Sequence, residues 1–129
     1  MQFLEKNITV SKDDLDQLNH VNNVRYVQWV QDIAEAHWLK NATKDILANY
    51  YWVLVSHHIE YKGEALLHDN LHVKTYVSKS EGISSIRHVE ITNTRTKKLI
   101  CTSKTKWCFM SVASKKPVRI PNEITTLFD

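Results

Sequence analysis

Glycine and proline are nearly missing from this sequence, with two of each in 129 residues. No glycine-rich phosphate loop, Rossmann turn or proline-rich linker can be built from so few, and turns must come from Asn, Asp, Ser and Lys. Cysteine is equally scarce. Cys101 and Cys108 stand seven apart in one strand-like run, so their side chains leave on opposite faces and cannot pair within the strand. There is no CxxC, and the adjacent His57 and His58 would point to opposite faces of a strand; His68 and His72 stand four apart but bring no Cys or further His beside them, so neither pair makes a case for a metal site. An excess of one charge is also lacking. Lys plus Arg number 17 against 14 Asp plus Glu, a net charge of +3 that is spread along the chain and gives no case for a nucleic-acid partner. No run approaches the roughly 20 apolar residues of a membrane span, so no membrane partner is expected and the cytoplasm is the expected location.

The composition is that of a folded chain, 43% hydrophobic and 24% charged. One domain over residues 1–129 is expected, able to bury roughly two-thirds of its unfolded surface without a disulfide or metal. Ile8 to Val10 read as the end of a first strand, and Ser11 to Asn23 as a polar loop. From Val24 to Leu39 the period becomes helical: Arg25, Gln28, Asp32 and Glu35 form a narrow polar stripe, while Tyr26, Trp29, Val30, Ile33, Ala34 and Trp38 fill most of the remaining circumference. Such a helix must be heavily covered. Asn22 or Asn23 suits its N-cap. A short helical piece is expected over Lys44 to Asn49.

From Tyr51 the period is two, with Tyr51, Val53, Val55, Ile59 and Tyr61 on one face of a long strand. Strands through Leu71 to Val77, Ile83 to Asn93 and Leu99 to Val112 follow, joined by turn chemistry at Lys79-Ser80-Glu81-Gly82 and Thr94-Arg95-Thr96-Lys97. In the last of them Leu99, Cys101, Ser103, Thr105, Trp107 and Phe109 make the apolar or small face. His57 falls on the apolar parity of its strand and reads as a satisfied core or interface histidine. Glu123 to Phe128 form a terminal helical turn or a tail. This order, one strand, a long buried helix and then antiparallel strands, implies an α+β class. A small sheet of this kind keeps edge strands with unpaired amides, which favours pairing with a second copy.

The densest polar cluster is Asp13-Asp14-Leu15-Asp16-Gln17-Leu18-Asn19-His20-Val21-Asn22-Asn23, immediately before the buried helix. Two readings fit it. Asx residues cap helices and shape turns for local hydrogen-bonding reasons alone. Alternatively, the free amides and positive dipole end of the helix stabilise a carbonyl oxygen as it becomes an oxyanion, while a loop carboxylate supplies base or nucleophile.

The stretch Asp14-Leu15-Asp16, followed by His20-Val21-Asn22-Asn23-Val24-Arg25-Tyr26 and Trp29, resembles the signature of hotdog-fold thioesterases. The subgroup is the 4-hydroxybenzoyl-CoA thioesterase-like one, and HVNNVxYxxW is especially similar to acyl-ACP thioesterases. The resemblance extends over nearly the whole chain, through Ile59-Glu60-Tyr61-Lys62-Gly63-Glu64-Ala65 and Asp69. It implies a hotdog fold, an antiparallel sheet of about five strands wrapped around one long central helix. It also implies hydrolysis of an acyl-CoA or acyl-ACP to acid and thiol, without a cofactor, by a homodimer or a tetramer. Asp16 matches the family's catalytic carboxylate, which activates water or attacks the thioester itself. The amide of Asn23 falls where the family polarises the carbonyl, and His20 matches the histidine that orients water or assists protonation. Asn22, Tyr26, Trp29 and Val30 are the corresponding candidates for substrate binding, and Asp14 for shaping the loop. One departure stands out: plant-type acyl-ACP thioesterases place Asn two residues after the catalytic Asp, where this chain has Leu18, and that shifts weight to Asp16. Two alternatives remain. A hotdog hydratase or dehydratase resembles D-x-N-P-x-H, with its Asp and His five positions apart, whereas Asp16 and His20 are four apart with no Pro between them; a non-catalytic acyl-binding hotdog protein would use the Asx cluster only as a cap.

Overall fold

The computed structural model describes residues 1–129. Its longest helix, α1, runs from Asn23 to Asn41. Asn22 is its N-cap, with Oδ1 accepting from the amide of Val24 at 3.0 Å, which satisfies one of the donors that every helix start leaves open. Tyr26, Trp29, Val30, Ile33, Ala34 and His37, spaced by threes and ones, form its buried face. The opposite face is open: Val24 and Leu39 are among the exposed apolar residues, and Gln28 donates to Asp32 across one turn at 2.7 Å. The expected heavy cover is therefore corrected. A single five-stranded sheet covers one side of a helix and no more. A second helix, α2 (Lys44–Asn49), is capped by Thr43, whose hydroxyl accepts from Ile46.

Five strands, β1 (Leu4–Thr9), β2 (Tyr50–Tyr61), β3 (Asn70–Glu81), β4 (Ser84–Asn93) and β5 (Leu99–Ser111), form one antiparallel sheet in the order β1-β3-β4-β5-β2. The hairpin between β3 and β4 turns at Gly82, whose φ of +63° is the left-handed conformation glycine adopts without a Cβ penalty. Alternation on β4 is strict, with Ser85, Arg87, Val89, Ile91 and Asn93 facing inward. On β2 it is not. The register with β5 shifts between Leu54 and Ser56, so Trp52 opposes Phe109 on the core side, whereas beyond the bulge it is His57 and Ile59 that oppose Thr105 and Ser103. The single odd-numbered face expected from Tyr51 to Tyr61 is thus split. An extra residue at Val55 inverts the parity, which period-two reasoning does not register.

The main core joins Val21, Val30 and Ile33 to Leu71, Val73, Val89, Ile91 and Cys101; a second cluster gathers Ile46, Phe109, Ile120 and Ile124, with Trp38 and Trp52 packed against it. Cys101 is buried, which pushes its thiol up to about 12, and Cys108 is a separate, partly buried free thiol. The chain end is ordered: a short helix α3 (Asn122–Thr125) and a 3-10 turn at Thr126–Phe128 seat Phe128 in the interior, and its carbonyl accepts from the amide of Gln2. His37 links these parts, its Nε2 lying 3.0 Å from Oε1 of Gln2 and its Nδ1 2.8 Å from Nη1 of Arg87.

Burial, with Arg87 nearby, lowers the pKa of His37 from 6.5 to about 4. Between those values the unfolded chain binds a proton that the folded chain refuses, so stability is full above 6.5 and falls as pH drops toward 4. His57 and His88 are lowered in the same direction by burial. Urea unfolding at pH 7 and pH 4.5 should show a loss in which His37 accounts for up to about 3 kcal/mol, and His37→Gln should flatten that dependence.

Candidate active site

The loop before α1 is a small excursion whose ends are clasped together. Leu15 and Val21 form a β-bridge, and the amide of Asn22 donates to the carbonyl of Asp14 at 2.8 Å. Asp14 is the anchor. Its Oδ1 lies 3.0 Å from Nε of Arg25 in the first turn of α1, and its Oδ2 accepts from the amide and hydroxyl of Ser11 at 2.8 and 3.2 Å. Arg25 also donates to the carbonyl of Asp13. Both oxygens of Asp14 are therefore engaged and the group is buried, which leaves it little capacity to act as a base.

Two residues on, Asp16 has a different environment. Its Oδ1 accepts from the amides of Leu18 and His20 at 2.8 and 3.1 Å, while its own amide donates to the carbonyl of His20 at 2.7 Å. Asn19 sits at φ 63°, the left-handed conformation that Asn tolerates better than most residues and that this tight turn requires. Oδ2 of Asp16 has no partner in the chain, the residue is exposed, and it borders an open depression shared with Leu15, Gln17, Leu18 and Asn22. Backbone donors fix the orientation of the carboxylate and leave one oxygen facing solvent. The amide of Asn23, first in the helix, donates to no group of the chain.

His20 is half-exposed, with Nε2 3.8 Å from a carboxylate oxygen of Glu64. Asn22 uses its side-chain oxygen as the helix cap, so its amide nitrogen is the part left for other contacts. Thus Asp16, His20, Asn22 and Asn23 all belong to one loop and helix start. Tyr26, Trp29 and Val30 are instead core residues, and none of them borders this depression. The hydroxyl of Tyr26 accepts from the amide of Ala65, and its ring meets Trp29 edge-on and Tyr61 at a tilt. Burial raises the Tyr26 phenol to about 12, so it stays protonated at neutral pH. His57 is bonded to the hydroxyl of Ser103 at 2.8 Å, the satisfied histidine expected from its parity. Sequence reasoning missed Arg25 and Glu64 as partners of the loop. Arg25 follows the Asx cluster closely enough to have been suspected; Glu64 is brought in from beyond β2 and carried no local signal.

The sequence profile of the thioesterase-like superfamily matches residues 10–128. The chain belongs to that superfamily. No curated protein sequence matches it, but solved structures do. The probable thioesterase YbaW from Escherichia coli is 25% identical, with a TM-score of 0.84 over 95% of this chain and 94% of that one. Slr0204, a 1,4-dihydroxy-2-naphthoyl-CoA thioesterase from Synechocystis, is 16% identical, with a TM-score of 0.83 over 98% and 95% of the two chains. The 12:0-ACP thioesterase from Umbellularia californica is 12% identical, with a TM-score of 0.86 over 98% of this chain but 51% of the plant one. The α+β hotdog architecture is shared by these proteins, and the thioesterase-like chain described here has it with α1 as the central helix.

Because the carboxylate of Asp14 ties Ser11 and Arg25 to one point, Asp14→Ala should destabilise this thioesterase-like fold by about 1–3 kcal/mol. Urea unfolding would read it, and hydrogen exchange should show the loss of protection concentrated at residues 11–25.

Proposed function

We propose that the chain, as one domain, hydrolyses an acyl thioester carried on coenzyme A or on acyl carrier protein, releasing the acid and the thiol. The observation that carries this reading is the division of labour between two neighbouring acids. Asp14 is fully engaged, whereas Asp16 is oriented by two amides with its second oxygen open, on the same loop that leads to an unoccupied amide at the start of a 19-residue helix. That pairing suits a reaction in which negative charge develops on a carbonyl oxygen while a carboxylate acts on water or on the carbonyl carbon.

In this reading the thioester carbonyl lies against the amide of Asn23, where the helix dipole adds to the hydrogen bond. Oδ2 of Asp16 accepts the proton of an attacking water, or attacks the carbonyl itself to form an anhydride that water then opens. His20, held near Glu64, orients the water or protonates the departing thiolate. The side-chain nitrogen of Asn22 contacts the substrate beside the carbonyl, while Tyr26, Trp29 and Val30 take part only as the packed core that supports the first turns of α1. A thioester is reactive enough that one base and one oxyanion donor suffice without metal or organic cofactor. Both carriers are kept because one structural neighbour is named for a CoA thioester and another for an ACP thioester.

The same reading makes the chain a homodimer. The outer edge of β2 has no strand beside it, and Val53, Leu54 and Val55 along it are exposed, Val55 by 57%. An unprotected apolar edge pairs readily with a copy of itself.

Thiol release from short, medium and long acyl-CoAs, with an enoyl-CoA hydration control, tests the reaction class: free thiol supports the hydrolase, hydration without thiol a hydratase, and neither a binding protein. Asp16→Asn should keep the fold and lower thiol release by about 10²–10⁴-fold; undiminished turnover would remove Asp16 from the mechanism. Val55→Lys, which places a charge on the β2 edge, should yield monomers by light scattering, and a dimer that survives the change would put the interface elsewhere.

A further inference from the structure

Arg87 lies on the inward face of β4 and is only 6% exposed. Its neighbours on the sheet carry no charge: it pairs with Val77 on β3 and Thr105 on β5, with the buried Thr75 and Ser85 close by. Nη1 donates to Nδ1 of His37 at 2.8 Å and to Oγ1 of Thr75 at 3.0 Å, and the guanidinium carbon stands 5.3 Å from the centre of the Phe128 ring. His37 brings no negative charge. Burial keeps it neutral at physiological pH, so that Nδ1 accepts from Arg87 while Nε2 donates to Gln2. Arg87 itself, lowered by burial to about 10, remains a cation. No carboxylate approaches it within 4.0 Å. A buried charge without a counter-ion is costly and uncommon.

The remaining nitrogens show where the counter-ion belongs. Nε and Nη2 make no hydrogen bond within the chain, yet no side-chain nitrogen or oxygen is both sealed and unpartnered. These two donors therefore open onto the adjoining space, which is a cavity of about 420 Å³ between the second half of α1 and the sheet, bordered by Arg87, Trp38, Trp52, Trp107 and Phe128. That volume lies within the range of small-molecule sites, and its lining of aromatic walls with one convergent charge is their usual chemistry. Glu35 borders the cavity from the exposed side of α1 and does not reach the guanidinium.

We propose that this cavity binds an amphipathic carboxylate, a free aliphatic or aromatic acid whose two oxygens take the Nε and Nη2 edge of Arg87 as a fork while its apolar body lies among Trp38, Trp52 and Trp107. The side-on edge of a guanidinium presents two parallel N–H bonds that match a carboxylate and match neither an alcohol nor an ester. The cavity is distinct from the Asp16 loop. The α1 residues that border it, Gln31 to Leu39, stand 8 to 16 positions beyond Asn23, about 12–24 Å along the axis. The argument uses no catalytic residue and stands whether or not the chain hydrolyses thioesters, although the acid that such a reaction releases belongs to this ligand class.

Calorimetric titration of the whole protein at neutral pH with decanoate and with decanol decides it. Decanoate should bind saturably at one site per chain, and decanol about 10-fold or more weaker. Arg87→Met should weaken decanoate about 10- to 100-fold and leave decanol unchanged, whereas Asp16→Asn should keep the full affinity for decanoate. Equal affinity for acid and alcohol, or no saturable binding, would overturn the proposal. So would binding lost in Asp16→Asn and kept in Arg87→Met, which would place the acid in the loop site. Should Arg87→Met fail to fold, the comparison of decanoate with decanol on the unmodified protein still decides.

Discussion

The clasp at the start of α1 is the constraint from which the site geometry follows. Asp14 receives two donors from Ser11 and the guanidinium of Arg25, while its own carbonyl receives the amide of Asn22. Because Asn22 is also the helix cap, the position of the loop and the first turn of α1 are set by one set of bonds. The turn from Asp16 to His20 then has little freedom, and the carboxylate of Asp16 is aimed by amides that the turn itself supplies. A charged group held this way has little room to reorient, which is what the proposed hydrolysis asks of it.

Farther along, the same helix meets a different environment. Its first half lies over an apolar core of Leu71, Val73, Val89 and Ile91, whereas His37 and Trp38 face a stretch of sheet built from Thr75, Ser85, Arg87 and Thr105. The two ends of one buried rod therefore carry opposite electrostatic problems. At the N-terminus the open amides attract negative charge through the helix dipole. Toward the C-terminus an arginine without a carboxylate does so through a full charge. Phe128 and Gln2 close the second region.

Much of the architecture was legible before any coordinates. The switch from helical to alternating period located α1, and the Asn-rich segment preceding it contained the cap. The short polar connections gave antiparallel hairpins, and the HVNN segment with the acids before it gave the family. What periodicity missed, it missed for definite reasons. The bulge at Val55 inverts the facing of β2 in mid-strand, and a one-residue insertion has no compositional signature. The helix's polar stripe was expected to be narrow and its cover nearly complete, yet the sheet of one chain reaches only one side, leaving Val24 and Leu39 exposed. Tyr26, Trp29 and Val30 share a helical stripe that reads equally as core or as ligand wall; their neighbours in the fold are core residues.

By itself the sequence determined the local events: where the helix starts, which residues can turn, which positions alternate, and which loop gathers two acids, a histidine and two asparagines. These depend on residues within a few positions of one another, where propensity and side-chain-to-backbone bonding act directly. Tertiary structure alone decided which of the two acids is engaged, since Arg25 reaches back to Asp14 only when the loop folds over the first turn of α1. It alone brought Glu64 to His20, and it alone placed Arg87, fifty positions from His37, against a neutral imidazole instead of a carboxylate. Pairings between distant segments are fixed by the packing of the sheet on the helix, and no local pattern encodes them.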